Sequence, residues 1–161
     1  MDFKIVKKEE FEVVGICENI NAKDGQNFEQ VPKMWQNLMK SGNFNKLHSK
    51  QKDLGMLGIC MNYNEDRLEF DYMIAVEGTK LEDMDNIQTV KIPSATWAVF
   101  ESVGPIPDSI QNTWQYIFKE WLPNSPYKHA NAPEFESYFD GDPQSKDYKS
   151  YIWIPIKKRE Y

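Results

Sequence analysis

The sequence predicts an α+β protein built from two βαββ units, with antiparallel strand order and both helices on one face. Three observations carry that prediction. Two amphipathic helical stripes stand far apart, each preceded by an apolar strand-like run and followed by two more. WQNLMK at 35–40 recurs as WQYIFK at 114–119, 79 residues later. Asp71-Tyr72-Met73-Ile74 precedes Ser150-Tyr151-Ile152-Trp153 by the same offset. One register held from helix to last strand points to a duplication, with repeats at roughly 1–80 and 88–161 inside a single domain of 161 residues.

In chain order, residues 3–7 and FEVVGIC at 11–17 read as strands, rich in Phe, Val and Ile. Residues 27–40 place Phe28, Val31, Trp35, Leu38 and Met39 on one helical stripe, which Ser41-Gly42 should stop. LGICMNY and LEFDYMIAVEG then form a hairpin across Asn64-Glu65-Asp66. The second half begins with KIPSATWAVFES as one strand. Asp108 follows as an N-cap, and Ile110, Trp114, Ile117, Phe118 and Trp121 form a helical face ended by Pro123. EFESYF and YIWIPI close the fold across a polar GDPQSKD loop. Upstream of the helices, KEEFEVVGI at 8–16 falls against IPSATWAVF at 92–100 with an offset of 84, so the first half has the longer loop before its helix. Each unit would cover one sheet face with its helix and leave a pseudo-twofold groove where the halves meet, a common place for binding.

Composition removes several function classes. Nineteen basic against 25 acidic residues give a net charge of -6, with no basic stripe of the kind that phosphate binding needs. KKRE at 157–160 is short and reads as a solvated tail. No apolar run approaches a membrane span, and MDFKIVKKEE has no signal-peptide core. Cys17 and Cys60 are too few for a disulfide framework and read as buried thiols in apolar strands, so the expectation is a cytoplasmic protein. His48 and His129 fall in loop-like segments without metal-ligand spacing, and no phosphate-loop, dinucleotide or nucleophile-elbow motif occurs. Neither a cofactor nor a metal is expected.

What the chain has in quantity is rings: five Trp, eight Tyr and nine Phe. Trp35 and Trp114, at equivalent helix positions, read as packing residues. On the strands, alternation sorts residues by face. In PEFESYF, Glu134, Glu136 and Tyr138 share one face; in YIWIPI, Ile152, Ile154 and Ile156 suit the helices and leave Tyr151 and Trp153 pointing away. Glu136, Tyr138, Tyr151 and Trp153 would then form a rim of rings around a carboxylate on the side away from the helices. The facing of Trp97 and Val99 against Ala98 and Phe100 stays open. Alternation alone leaves Glu136 either a solvated strand residue or the counter-charge of a cation site, since aromatic faces attract cations.

The duplicated layout, IPSATWAVFESVGPI, TWQYIFKEWLP, SPYKHANAPEFESYF and the terminal YIWIPI together resemble the gyrase-inhibitor-like (GyrI-like) effector-binding domain, also found attached to AraC-type and MerR-type multidrug regulators. The similarity covers the whole chain and is strongest from Lys91 to Lys157. It implies that lipophilic, often cationic small molecules bind in the groove between the halves. It also implies that Glu136, in Phe135-Glu136-Ser137-Tyr138, is the pocket glutamate, with Trp153 and Trp97 as pocket aromatics. Pro126 stands where the family often has glycine before the tyrosine matching Tyr127, which affects the local loop. The first strand begins at about Phe3, leaving no room before it for the family's helix-turn-helix. The expectation is therefore a stand-alone ligand-binding module without direct DNA binding. Some relatives hydrolyse cyclopropane-bearing alkylating compounds, and that alternative would make Glu136 a general base and Tyr138 a proton donor. A protein-interaction role such as gyrase inhibition is the remaining alternative.

Overall fold

The computed structural model describes residues 1–81 and 84–160. Its chain divides into two compact units, Phe11–Ile92 and, together, Met1–Glu10 with Pro93–Tyr161. Both are α+β with an antiparallel sheet, as expected.

The unit Phe11–Ile92 contains β2 (Phe11–Asn21), α1 (Asn27–Ser41), α2 (Asn43–His48), β3 (Met56–Asn64), β4 (Glu69–Glu77) and β5 (Gln88–Ile92), with β1 (Phe3–Lys8) preceding it in the chain. The strands lie in the order β3-β4-β2-β5. β4 is an interior strand, and Tyr72, Met73, Ile74, Ala75 and Val76 are all buried, which is why it reads as a continuous apolar run. Gly15 of β2 faces Ala75, and a Cβ there would run into the Ile74 carbonyl, so only glycine lets the two strands close.

Gly42, at φ 81°, ends α1 as the sequence suggested. A second short helix follows at once, so His48 is helical rather than in a loop. Met34 and Leu38 carry the burial of α1, whereas Phe28 and Met39 of the expected stripe are exposed. Trp35 donates from Nε1 to the Tyr72 hydroxyl at 3.0 Å, tying helix to sheet.

The other unit holds β1, β6 (Ala95–Val103), α3 (Asp108–Tyr116), β7 (Tyr127–His129), β8 (Glu134–Tyr138) and β9 (Lys149–Lys158). Its strands run β1-β6-β9-β8, with β7 also on β9. The two units share a pattern: β2 pairs with β4, which pairs with β3, and β5 joins β2, just as β6 pairs with β9, which pairs with β8, and β1 joins β6. Burial follows the 79-residue register along the helices: Met34 and Thr113 are buried, Trp35 and Trp114 half-buried, Leu38 and Ile117 buried.

Four placements differ from the sequence reading. KIPSATWAVFES is broken at Pro93-Ser94 into β5 and β6, because proline cannot donate to a ladder. Pro107, not Asp108, occupies the N-cap, and Asp108 opens the helix without a side-chain cap bond, its charge favourable in the first turn. The helix also runs past Pro123: after Asp108–Tyr116 it widens to a π-helical turn over Ile117–Trp121 and closes with Leu122–Asn124. His129 is in β7, not a loop.

α3 packs on the sheet through Ile110 and Ile117, against Ala98, Phe100, Ile152, Ile154 and Ile156. Beside this apolar layer Thr113 Oγ1 donates to Ser102 Oγ at 3.0 Å, keeping two buried hydroxyls satisfied.

Candidate functional site

Register decides what Glu136 meets. In the antiparallel pair of β8 and β9, Glu136 is opposite Ile152 and Tyr138 opposite Ser150. Directly paired residues point to the same side of a sheet. Glu136 and Tyr138 therefore share the face of Ile152, Ile154 and Ile156, which is the face that α3 covers. This corrects the expectation that the carboxylate lies away from the helices.

Two rings hold the carboxylate. Trp114 of α3 donates from Nε1 to Oε2 at 2.7 Å, and Tyr138 donates its hydroxyl proton to Oε1 at 2.9 Å. Tyr138 reaches it because residues two apart on a strand are neighbours on one face. Phe118, one helical turn after Trp114, stacks on that indole at 5.8 Å with planes 7° apart. His129 continues the stack at 6.5 Å from Phe118. Its two nitrogens are engaged: Nδ1 accepts from the Asn131 N–H at 3.0 Å, and Nε2 lies 3.1 Å from Glu134 Oε2. The neutral ring thus carries its proton on Nε2 and donates to Glu134. That arrangement shapes the 130–133 loop.

Burial pushes the Glu136 carboxyl above its ordinary 4.5, the bonds from Trp114 and Tyr138 pull it back down, and the charge of Glu134 adds a smaller push upward. Glu136 keeps part of its surface, so it can be reached. The arrangement is a half-buried acid with a polarisable ring wall and two donors that favour its charged form. Such an acid is stabilised further by any cation brought against it.

Trp97, Tyr151 and Trp153 are on the opposite face. Val99 and Phe135 each pair with Trp153, and Ser137 pairs with Tyr151. Trp97 is fully buried, with its ring 5.2 Å from Phe135 and 5.9 Å from Trp153, while Phe135 and Trp153 stack at 5.3 Å. Tyr151 meets Phe139 edge-on at 5.8 Å. So of the five residues singled out from the sequence, the structure brings together Glu136 and Tyr138 and separates the other three from them. The sequence reading passed over Trp114 and Phe118 as packing residues. A signal was present: a stripe that carries Trp-x-x-x-Phe beside the buried Ile110 and Ile117 leaves rings to spare for β8.

Other chemistry is thin. Among the described residues no three His, Cys, Asp or Glu side chains cluster as a metal site. Neither Cys17 nor Cys60 is in a disulfide, and both are half-buried rather than fully buried. Burial first, then Asp71 and Glu18, raise the Cys17 thiol, so it stays protonated and weakly nucleophilic. No helix among the described residues is long and apolar enough to cross a membrane.

Comparison with known proteins places this chain in a family. YobU of Bacillus subtilis (strain 168), named as a transcriptional regulator, is 26% identical over 144 residues, covering 86% of each chain. A solved structure of SAV2435 bound to tetraphenylphosphonium is 28% identical and superposes with a TM-score of 0.85, covering 98% of this chain and 94% of the other. The integron cassette protein VCH_CASS2 from the mobile metagenome of Vibrio cholerae shares the fold, with a TM-score of 0.72 at 19% identity over 96% and 95% of the two chains. A family model matches residues 4–156, and the chain belongs to the Cass2 family of integron-associated effector binding proteins, within the GyrI-like group.

Proposed function

We propose that this effector-binding protein takes up lipophilic organic cations, with the Glu136 carboxylate as counter-charge and Trp114, Phe118 and Tyr138 as the rings around it. The observation that carries the reading is the pair of ring donors, Trp114 and Tyr138, on a carboxyl that burial drives toward its neutral form. A cation beside that carboxyl recovers the charge–charge energy that burial makes large. Flat or propeller-shaped aromatic cations add ring contacts that ask little about identity. A relative of 28% identity is described as bound to a lipophilic cation, tetraphenylphosphonium, which supports the choice of ligand class. With net charge -6, the chain acts without direct contact to duplex DNA.

The test compares tetraphenylphosphonium with neutral triphenylphosphine oxide by tryptophan fluorescence. Glu136→Gln keeps shape and removes charge, so the cation should lose about 1.5–3 kcal/mol of affinity, the range for hydrogen bonds and contacts to charged groups. The neutral compound should lose much less. Equal losses for both would reduce Glu136 to a structural acid.

Hydrolysis is the second reading, favoured by one observation. A carboxyl with a raised pKa and a tyrosine in hydrogen-bond contact is the pairing that general-base attack by water requires. Multiple turnovers of a strained alkylating substrate, abolished in Glu136→Gln, would put this reading first.

A further inference from the structure

At the C-terminal end of the helical run that begins with α3 there is a recess of about 380 Å³ lined by Phe3, Tyr116, Glu120, Trp121, Asn124 and Tyr127, among others. It is within the size range of ligand sites. Glu120 and Trp121 of this lining belong to the π-helical turn over Ile117–Trp121. In an unbroken α-helix, at about 100° per residue, Trp121 would fall on the stripe of Trp114. The wider turn rotates the indole away, so that it meets Phe100 edge-on at 4.9 Å and Phe3 at 5.1 Å. Tyr127 of β7 lies near-parallel to it at 6.1 Å. Turns of this kind are found often at functional sites.

The lining of the recess is aromatic and acidic. Four aromatic residues line it, Phe3 is 46% exposed, and Glu120 is the charged residue among those that line it. The nearby Arg159 is occupied elsewhere: its Nη2 donates to the Leu122 carbonyl at 3.0 Å and its Nε to the Ser125 carbonyl at 3.3 Å. Rings around a carboxylate suit a quaternary ammonium group, which is too weakly hydrated to need hydrogen bonds and is attracted to ring faces. A strongly hydrated primary ammonium would keep its water.

We propose that this recess is a second binding site, selective for small trimethylammonium compounds of the choline type, with Phe3, Tyr116, Trp121 and Tyr127 as the cage and Glu120 as counter-charge. It goes beyond the Glu136 site and shares no ring with it.

The test is a choline titration of the ¹⁵N-labelled protein, followed at the indole N–H signals, with Trp121→Phe identifying the relevant peak. The neutral isostere 3,3-dimethylbutan-1-ol is the control. Choline should shift the Trp121 signal with millimolar affinity, and the alcohol should bind several-fold more weakly. Tyr127→Ala and Phe3→Leu should each weaken choline roughly 2- to 5-fold, the range for a single exposed cation–π contact. Glu120→Gln, an exposed substitution with little risk to folding, should weaken choline and leave tetraphenylphosphonium binding unchanged. The whole choline response should persist in Glu136→Gln, so this site and the first fail separately. Co-sedimentation with phosphatidylcholine vesicles would assign the head group to a lipid, and its absence to a free solute; the cage stands in both cases. A Trp121 signal unmoved by choline, or moved equally by the alcohol, overturns the proposal.

Discussion

The Trp114 indole N–H and the Glu136 carboxylate are joined by a 2.7 Å hydrogen bond that runs from helix to strand. The bond couples two roles. It fixes α3 over β8, and it stabilises the charged form of an acid that burial would neutralise. A ligand that competes for this carboxylate therefore acts on the helix as well.

Trp114→Phe keeps a ring and deletes the donor. The carboxylate loses one of its two partners, and the chain should lose about 1–3 kcal/mol of stability at neutral pH, the cost of leaving a buried acceptor unpaired. Urea unfolding checks this. Because the Trp114 bond holds the Glu136 pKa down, its loss should also move the pH midpoint of tetraphenylphosphonium binding upward. An unchanged midpoint would mean that the bond contributes little to the charge state.

Glu136 gives stability and binding opposite pH dependences. Its folded pKa is above the unfolded value, so between the two the folded chain binds more protons than the unfolded one. Stability from this group is fully present below the unfolded pKa and is lost as pH rises through the folded pKa. Cation affinity runs the other way, rising as the carboxylate forms. Unfolding free energies measured from about pH 4 to 8 should fall with pH more steeply in the native protein than in Glu136→Gln. A steeper slope in the variant would contradict the raised pKa.

How far the sequence went is visible in β8 and β9. Alternation correctly grouped Glu136 with Tyr138 and the three isoleucines with the helix, because side-chain period is a property of each strand alone. It failed on how the strands combine. Their register depends on the long connection at 139–148, and a slip of one residue moves Glu136 from the face of Ile152 to that of Trp153. No periodicity within a strand carries that information. For the same reason the facing of Trp97 was unreadable, since both faces of β6 are apolar. The helix end was missed because Pro123 is a stop signal only for a regular helix, and Ile117–Trp121 is not regular.

Gly15→Ala probes a close approach of β2 and β4 in the Phe11–Ile92 unit. The added methyl meets the Ile74 backbone, which cannot rotate away as a side chain could. The cost should reach about 3 kcal/mol, the upper range for overpacking. Thermal unfolding reads it directly. A near-neutral result would show that β2 and β4 can separate without loss.

Trp153→Ala separates a stacking wall from a structural ring. If Trp153 served the ligand, its loss would weaken cationic and neutral compounds alike and leave the fold intact. Its position argues otherwise: it stacks on Phe135 at 5.3 Å, meets Trp97 at 5.9 Å and lies on the sheet face away from α3 and Glu136. Trp97 and Phe135 are almost fully buried, so removing the ring beside them opens a cavity rather than an empty binding wall. The substitution should cost about 3 kcal/mol of stability, near the lower end for a large aromatic because Trp153 is half-buried. Tetraphenylphosphonium affinity, measured well below the variant's melting temperature, should stay within about 2-fold of the native value, the scatter expected for a substitution that does not touch the ligand. Trp153→Phe should recover most of the stability and change nothing in binding. A loss of affinity in Trp153→Ala that Trp153→Phe restores, with both proteins fully folded, would instead place a ligand surface on this second face.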